Sequence, residues 1–181
     1  MLTASHLKKT NICEYLLYMW QVEDLIRALN LDMVQVEKVL VNSRTYADAA
    51  ERAQVVGWYE SLIDMMRLEH VAEKGHIQLN KNVLIDLEDV HLRILKSGLV
   101  PAYTAKFFHV LPSINQLRQK SDEGLSDLEL CFNFQYGFLL LKLQKKEISH
   151  ETAKTQEEIA KFMVLLARNY HAYSNGELDL E

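Results

Sequence analysis

The segment Glu-Asp-Val-His at residues 88–91 places a carboxylate and an imidazole three positions apart, at Glu88 and His91. In a helix this spacing puts both side chains on one face. Two such motifs, with a Glu from each of two further helices, build the metal site of di-iron helical bundles. The other Glu-x-x-His spacings in the chain are Glu73–His76 and Glu147–His150. A glycine interrupts the first and a predicted helix start interrupts the second, so Glu88 and His91 are only weak metal-ligand candidates.

A second interpretation of His91 needs no metal. A histidine on the apolar side of a helix is commonly a core residue whose ring hydrogen-bonds to a neighbour, here Glu88 or a backbone carbonyl. The sequence contains no Gly-x-Ser-x-Gly motif and no glycine-rich phosphate loop, which are the usual signatures of nucleophilic catalysis and nucleotide binding. We therefore predict no catalytic residue and no cofactor.

Two other polar groups have simple structural explanations. His70 and His76, with Glu69 and Glu73 beside them, are predicted to form the end of a helix, where imidazoles interact favourably with the helix dipole. Glu23 and Arg27 are four residues apart on the first long helix, a spacing typical of a solvated surface ion pair.

The first long predicted helix, called helix one, carries more apolar residues than one core face requires. Cys13, Leu16, Leu17 and Trp20 form a second stripe at spacings of three, four and seven residues. An exposed stripe of this kind is rare on a monomer unless it binds something. We expect either another helix of the same chain or an identical chain to cover it.

The composition excludes several classes of protein. The 181 residues are 49% hydrophobic and 25% charged, as in globular domains. The net charge is -5 and the basic residues are scattered, which argues against nucleic-acid binding. The most apolar run, residues 130–143, is too short and too polar to cross a membrane. The first residues contain no apolar signal-peptide core, so we expect a cytoplasmic protein.

Start and stop signals predict an all-α fold of about seven helices. The predicted starts are Asn11, Asp32, Thr45, Asn80 or Asn82, Thr104, Ser126 and Ser149. The third helix should end at Gly75, and Pro112 should kink the fifth helix or divide it in two. We predict a single-domain bundle over 1–181 with an ordered core at about 10–173 and a possible seam near 98–103.

Three segments together resemble a known family. They are "NICEYLLYMWQVEDLIRALNLD", "GWYESLIDMMRLEHVAEKGHIQLNKNVLIDLEDVHLRILKS" and "LELCFNFQYGFLLLKLQKKEIS". The family consists of small all-helical bacterial proteins and is classified only as a domain of unknown function. The resemblance implies a helical fold and brings no activity, cofactor or site residue.

The leading functional hypothesis is therefore a non-enzymatic interaction or structural module, with helix one as a candidate surface for forming a homo-oligomer such as a homodimer. The alternative is a protein that binds an apolar small ligand between its helices. The remotest hypothesis is a metal-dependent, di-iron-like enzyme using Glu88 and His91.

Overall fold

The computed structural model describes residues 2–180, and within that range it contains helices and no strand. The helices are α1 (Leu2–Thr10), α2 (Ile12–Ala28), α3 (Met33–Val36), α4 (Ala49–Leu68), α5 (Gln78–Ser97), α6 (Pro101–Arg118), α7 (Asp127–Leu143) and α8 (His150–Ser174). α3 continues into a π-helical turn, Glu37–Val41. The predicted all-α fold is confirmed, with α2 corresponding to helix one. The additional helix is α1, which lies before the predicted start.

The described residues form two compact units. The first comprises the residues up to Thr10 together with Glu14–Val83, and the second comprises Asn11–Cys13 together with the residues from Leu84 onward. Along the chain the division falls between Val83 and Leu84, inside α5, and the possible seam near 98–103 stays a prediction. The number of domains stays a prediction.

Three helix starts follow the capping chemistry expected from the sequence, whereas α5 begins at Gln78, before the predicted Asn80 or Asn82. The Asp32 side chain accepts a hydrogen bond from the backbone N–H of Val34 at the start of α3. Ser126 and Glu129 form a complete capping box on α7, and Ser149 caps α8. α4 is capped by Asp48 rather than Thr45. A side-chain oxygen that satisfies an unpaired N–H is the main local signal for a helix start.

The predicted end of the third helix at Gly75 is wrong. α4 ends at Leu68, and His70 adopts φ of +57°. The His70 N–H donates to the carbonyl of Arg67, and the Val71 N–H donates to that of Met66, which is the Schellman pattern. Val71 is buried directly after the turn. Burying Val71 fixes the end of α4 although the left-handed position is not a glycine.

α6 also differs from its prediction. It begins at Pro101, three residues before Thr104, with proline in the first turn where a missing N–H costs nothing. It continues through Pro112 to Arg118, so the predicted division into two helices is not found. Pro112 cannot donate to the carbonyl of Phe108 four residues earlier. Both residues are exposed, so water can satisfy that carbonyl.

Each unit has its own apolar core. In the first, α3 and the π-helical turn pack on α4, which buries residues such as Tyr59 and Met66. In the second, α6, α7 and α8 pack on one another. α7 buries side chains on several faces, including Phe132 and Gln135, as a helix apolar all round should. The Gln135 amide pairs with Gln156 of α8 through two hydrogen bonds.

Helical and buried residues are also present outside the predicted core of about 10–173, whose bounds stay a prediction. α1 occupies residues before it, and Leu180 is buried near the other end. None of the described helices is long and apolar enough to cross a membrane.

Candidate functional site

His91 lies on the inner side of α5 in the second unit and is 4% exposed. Its Nδ1 is 2.6 Å from the hydroxyl of Tyr103. The ring packs edge-on against Phe107, at a centroid distance of 4.7 Å, and against Phe162. His91 is therefore buried in the core, as the second interpretation predicted. Its hydrogen-bond partner is Tyr103 rather than Glu88 or a backbone carbonyl.

Burial keeps both members of this pair neutral. It lowers the pKa of His91 to about 4, with a smaller opposing effect of Asp127. It also raises the pKa of Tyr103 well above its usual range. A phenol hydroxyl can donate or accept a hydrogen bond, and the tautomer of His91 determines which of the two groups is the donor.

Glu88, one turn before His91, is half-buried and accepts a hydrogen bond from the Ser126 hydroxyl. The same hydroxyl oxygen accepts from the N–H of Glu129, 3.0 Å away. Ser126 therefore caps α7 and connects it to α5 at the same time. Beside it, Asp127 forms an ion pair with Arg118 at the end of α6.

These groups surround a cavity of about 120 Å³ between α5 and the first turn of α7. It is lined by Glu88, His91, Leu92, Ser126, Asp127 and Leu128. A wider depression of about 590 Å³ lies along α5 and is lined by Asp89, Arg93, Lys96, Ser97, Leu99 and Leu180. Both linings combine polar and apolar side chains, and binding of an apolar ligand between the helices stays a prediction.

No third metal ligand joins Glu88 and His91 among the described residues. Within residues 2–180, no group of three or more His, Cys, Asp or Glu side chains is arranged to hold a metal ion. Protein metal sites usually supply at least three such ligands. Glu88 and His91 point to different partners, Ser126 and Tyr103.

A second polar cluster, in the first unit, was not expected from the sequence. Glu23 of α2 is 0% exposed. Its carboxylate accepts from the Ile77 N–H at 3.0 Å and from the Asn80 amide at 2.9 Å, and it lies 2.5 Å from His76 Nδ1. A buried carboxylate needs several such donors. The predicted solvated pair of Glu23 with Arg27 is wrong.

Arg27 and Trp20, on the same helix, hold the segment that precedes α5. The Arg27 guanidinium donates to the carbonyls of Val71 and Gly75 and to Asp24. The Trp20 ring stacks on His76 with centroids 4.2 Å apart. We call Trp20, Glu23 and Arg27 the α2 clamp, and residues 69–77 the clamped loop. His76 belongs to this loop and not to a helix end, which corrects the prediction for His76.

The clamp has a weak sequence signature. Its three residues recur at spacings of three and four, which marks one helical face. Nothing local distinguishes that face from a solvated one, because the clamp's partners lie more than 40 residues away. Only the tertiary structure identifies Glu23 as buried.

The apolar stripe of helix one lies largely inside the protein. Cys13, Leu16 and Trp20 are buried and Leu17 is half-buried. The Cys13 thiol donates to the carbonyl of Met163, and Trp20 is covered by His76. These residues offer little surface to a partner chain, and self-association through helix one stays a prediction.

The exposed side of α6 has a different character. Pro101, Ala105, Phe108 and Pro112 recur at spacings of four, three and four and are all exposed. These spacings place them on one face. We call them the α6 stripe. The opposite face carries the buried residues Tyr103, Phe107, Val110 and Ile114. α6 is therefore apolar on two opposite sides.

The fold and these clusters define an all-α protein whose candidate chemical groups mostly pair with one another. The chain belongs to the family described as a domain of unknown function, DUF4924, whose profile matches residues 1–177. The resemblance inferred from the sequence is thus confirmed for the family, while a bacterial origin stays a prediction. No curated protein and no solved structure matched the chain.

Proposed function

We propose that the protein is a non-enzymatic interaction module that self-associates through the α6 stripe. The observation that carries the proposal is an exposed helical face with neither acidic nor basic residues. Its largest member, Phe108, is 58% exposed. Interface cores are depleted of charge and enriched in aromatic anchors.

The exposed face of α8 carries charged residues. On α8, Val164 is 59% exposed, but Lys161 and Arg168 lie three and four residues from it on the same face. The basic residues of α6 on either side of Phe108 are Lys106 and His109, and both contact Glu158 of α8. The four residues of the α6 stripe are therefore uncharged, and the basic side chains next to them contact Glu158.

A second copy of the chain is the partner that suits this face. Two-fold association places the same patch of each copy against the other. Each copy carries a net charge of -5, so an uncharged patch is where two copies can approach with least repulsion. One helix against its copy buries less than the roughly 1,600 Å² of a standard interface. We therefore expect weak, concentration-dependent association.

Sedimentation velocity over a wide concentration range tests the proposal. The wild-type mass should rise from one chain towards two, and Phe108→Glu should remain a single chain because it places a charge at the centre of the contact. Val164→Glu is the matched control, since its exposure is almost equal and its surroundings are charged. It should associate like the wild type.

Two results would overturn the proposal. One is a wild-type protein that stays a single chain at every concentration. The other is association that Phe108→Glu and Val164→Glu affect equally. Circular dichroism of both variants verifies that each one is folded, which the exposure of both positions leads us to expect.

A further inference from the structure

Asn175 and Gly176, at the C-terminal end of α8, form the one Asn-Gly pair of the sequence. Asn175 is the C-cap of the helix, and both residues are exposed. In such a pair the main-chain nitrogen of the glycine can attack the side-chain amide carbon of the asparagine. Glycine has no side chain that obstructs this attack. Asn175 is therefore a candidate for spontaneous chemical modification.

The reaction needs water and no other reagent. When the Gly176 nitrogen bonds to the side-chain carbon of Asn175, a five-membered succinimide ring forms. The side-chain nitrogen leaves as ammonia and takes the proton of the attacking nitrogen with it. Water then opens the ring at one of its two carbonyls. Opening at the former side-chain carbonyl gives aspartate, and opening at the main-chain carbonyl gives isoaspartate, which adds one carbon to the main chain.

The hydrogen bonds at the end of α8 oppose this attack. The Gly176 N–H donates to the carbonyl of Tyr173 at 3.0 Å, and the nitrogen must lose this proton before it can bond to carbon. The next two N–H groups of the chain both donate to the carbonyl of Ala172. This is the Schellman pattern, with Gly176 in the left-handed position at φ of +73°. Asn175 can therefore react only in molecules in which this turn is open.

The residues that follow the turn hold it closed. We call residues 177–180 the α8 extension. Its Leu180 is 6% exposed and lines the depression along α5. The extension is acidic, and the same depression is lined by Arg93 and Lys96. Apolar burial and opposite charge both favour the closed arrangement, so opening the turn requires Leu180 to leave the depression.

We infer that Asn175 is a self-modifying site whose rate of conversion is controlled by the α8 extension. While Leu180 is buried, the turn is closed and conversion is slow. The product carries a new negative charge at the C-terminus of α8, where the helix dipole disfavours it. Isoaspartate also changes the spacing of the turn's hydrogen bonds. Conversion is therefore a one-way step that leaves the extension detached, and it is independent of the α6 stripe.

Incubation of the full chain at neutral pH and physiological temperature, followed by peptide mass spectrometry, measures the conversion. Leu180→Ala removes the buried side chain and leaves Asn175 and Gly176 unchanged. Conversion at Asn175 should become about tenfold faster or more, because the turn opens more often. Val164→Ala truncates an exposed side chain of the same helix and should convert like the wild type. Asn42, which is exposed and precedes a serine, is the internal reference.

A second measurement needs only the wild-type chain, so it does not depend on the folding of Leu180→Ala. Hydrogen exchange compares the converted chain with the unconverted one. The amides of residues 177 and 178 should exchange about tenfold faster or more after conversion, because their bonds to Ala172 are lost. Equal exchange in the two chains would contradict the inference.

The conversion rates can contradict it as well. One such result is no conversion at Asn175 in any of the three proteins. Another is an equal rate at Asn175 in Leu180→Ala and in the wild type. A third is an equal acceleration at Asn175 and Asn42 in Leu180→Ala, which would show that general unfolding, and not the α8 extension, controls the reaction.

Discussion

At the scale of single residues, His91 illustrates how a motif and its surroundings can differ. The Glu-x-x-His spacing correctly places Glu88 and His91 one turn apart on α5. It carries no information about Tyr103, which lies on the next helix and is the actual partner of the imidazole. The aromatic rings that bury His91 also hold it neutral, since desolvation disfavours the charged form.

This neutrality predicts a pH-dependent stability. The pKa of His91 is about 4 in the folded protein and near 6.5 in an unfolded chain. Between these values the unfolded state binds more protons, so stability is fully present above about pH 6.5 and is lost as the pH falls towards 4. The contribution of His91 to the free energy of unfolding should fall by about 3 kcal/mol between pH 7 and pH 4.

Urea unfolding of the wild type and of His91→Gln at several pH values measures this contribution. Glutamine has no titrating group and can still accept from Tyr103. The wild type should lose more stability on acidification than the variant does. If the free energies of unfolding of the two proteins fell in parallel with pH, the pKa of His91 would be the same in the folded and unfolded states, and the prediction would be wrong.

The burial of Glu23 could not be predicted from the sequence. Acidic residues are rarely buried, and Arg27 four positions later made a surface pair the natural interpretation. The carboxylate is instead satisfied by Ile77, Asn80 and His76. Since these residues follow more than 50 positions later in the chain, helical periodicity could not reveal the contact.

At the scale of helices, starts and ends could be predicted where the signal is local. Ser126 and Ser149 cap α7 and α8 as their sequences indicate, because a cap is a local hydrogen bond. The ends of α2, α4 and α7 instead place Asn30, His70 and Lys145 at positive φ. A glycine is the usual signal for such an end, and without one at His70 the end of α4 was predicted too late, at Gly75.

At two exposed helix ends, we expect introducing a glycine to stabilise the protein and removing one to destabilise it. Lys145 adopts φ of +54° and Gly176 adopts φ of +73°. Lys145→Gly should raise the free energy of unfolding by about 0.5–1 kcal/mol, because a side chain is strained in this conformation. Gly176→Ala should lower it by about 1 kcal/mol for the same reason.

Chemical denaturation of both variants beside the wild type gives the comparison. The two helix ends have the same hydrogen-bond pattern, so the variants differ mainly in the sign of the backbone strain. A destabilised Lys145→Gly would mean that the lysine side chain contributes more than its strained backbone costs.

At the scale of the whole molecule, the distribution of charge matters more than its sum. The chain carries a net charge of -5, yet the α6 stripe contains none of the charged residues. Self-association through this stripe should tighten slightly, or stay constant, as salt is raised, because salt screens the repulsion between like-charged copies.

Sedimentation at low and high sodium chloride distinguishes this contact from an ionic one. An interface held by ion pairs would weaken with salt. Marked dissociation at high salt would therefore place the contact on a charged face, such as the exposed side of α8, and not on α6.

The α2 clamp makes the backbone path of the clamped loop independent of the identity of its exposed side chains. Arg27 and Glu23 bind main-chain groups at Val71, Gly75 and Ile77, and every residue except proline can offer a carbonyl and an N–H. The exposed side chains at positions 72–74 take no part in those bonds. The side chains at the tip of the loop can therefore vary in sequence while its backbone keeps the same path. That path is fixed by side chains of α2, which lies more than 40 residues earlier in the chain.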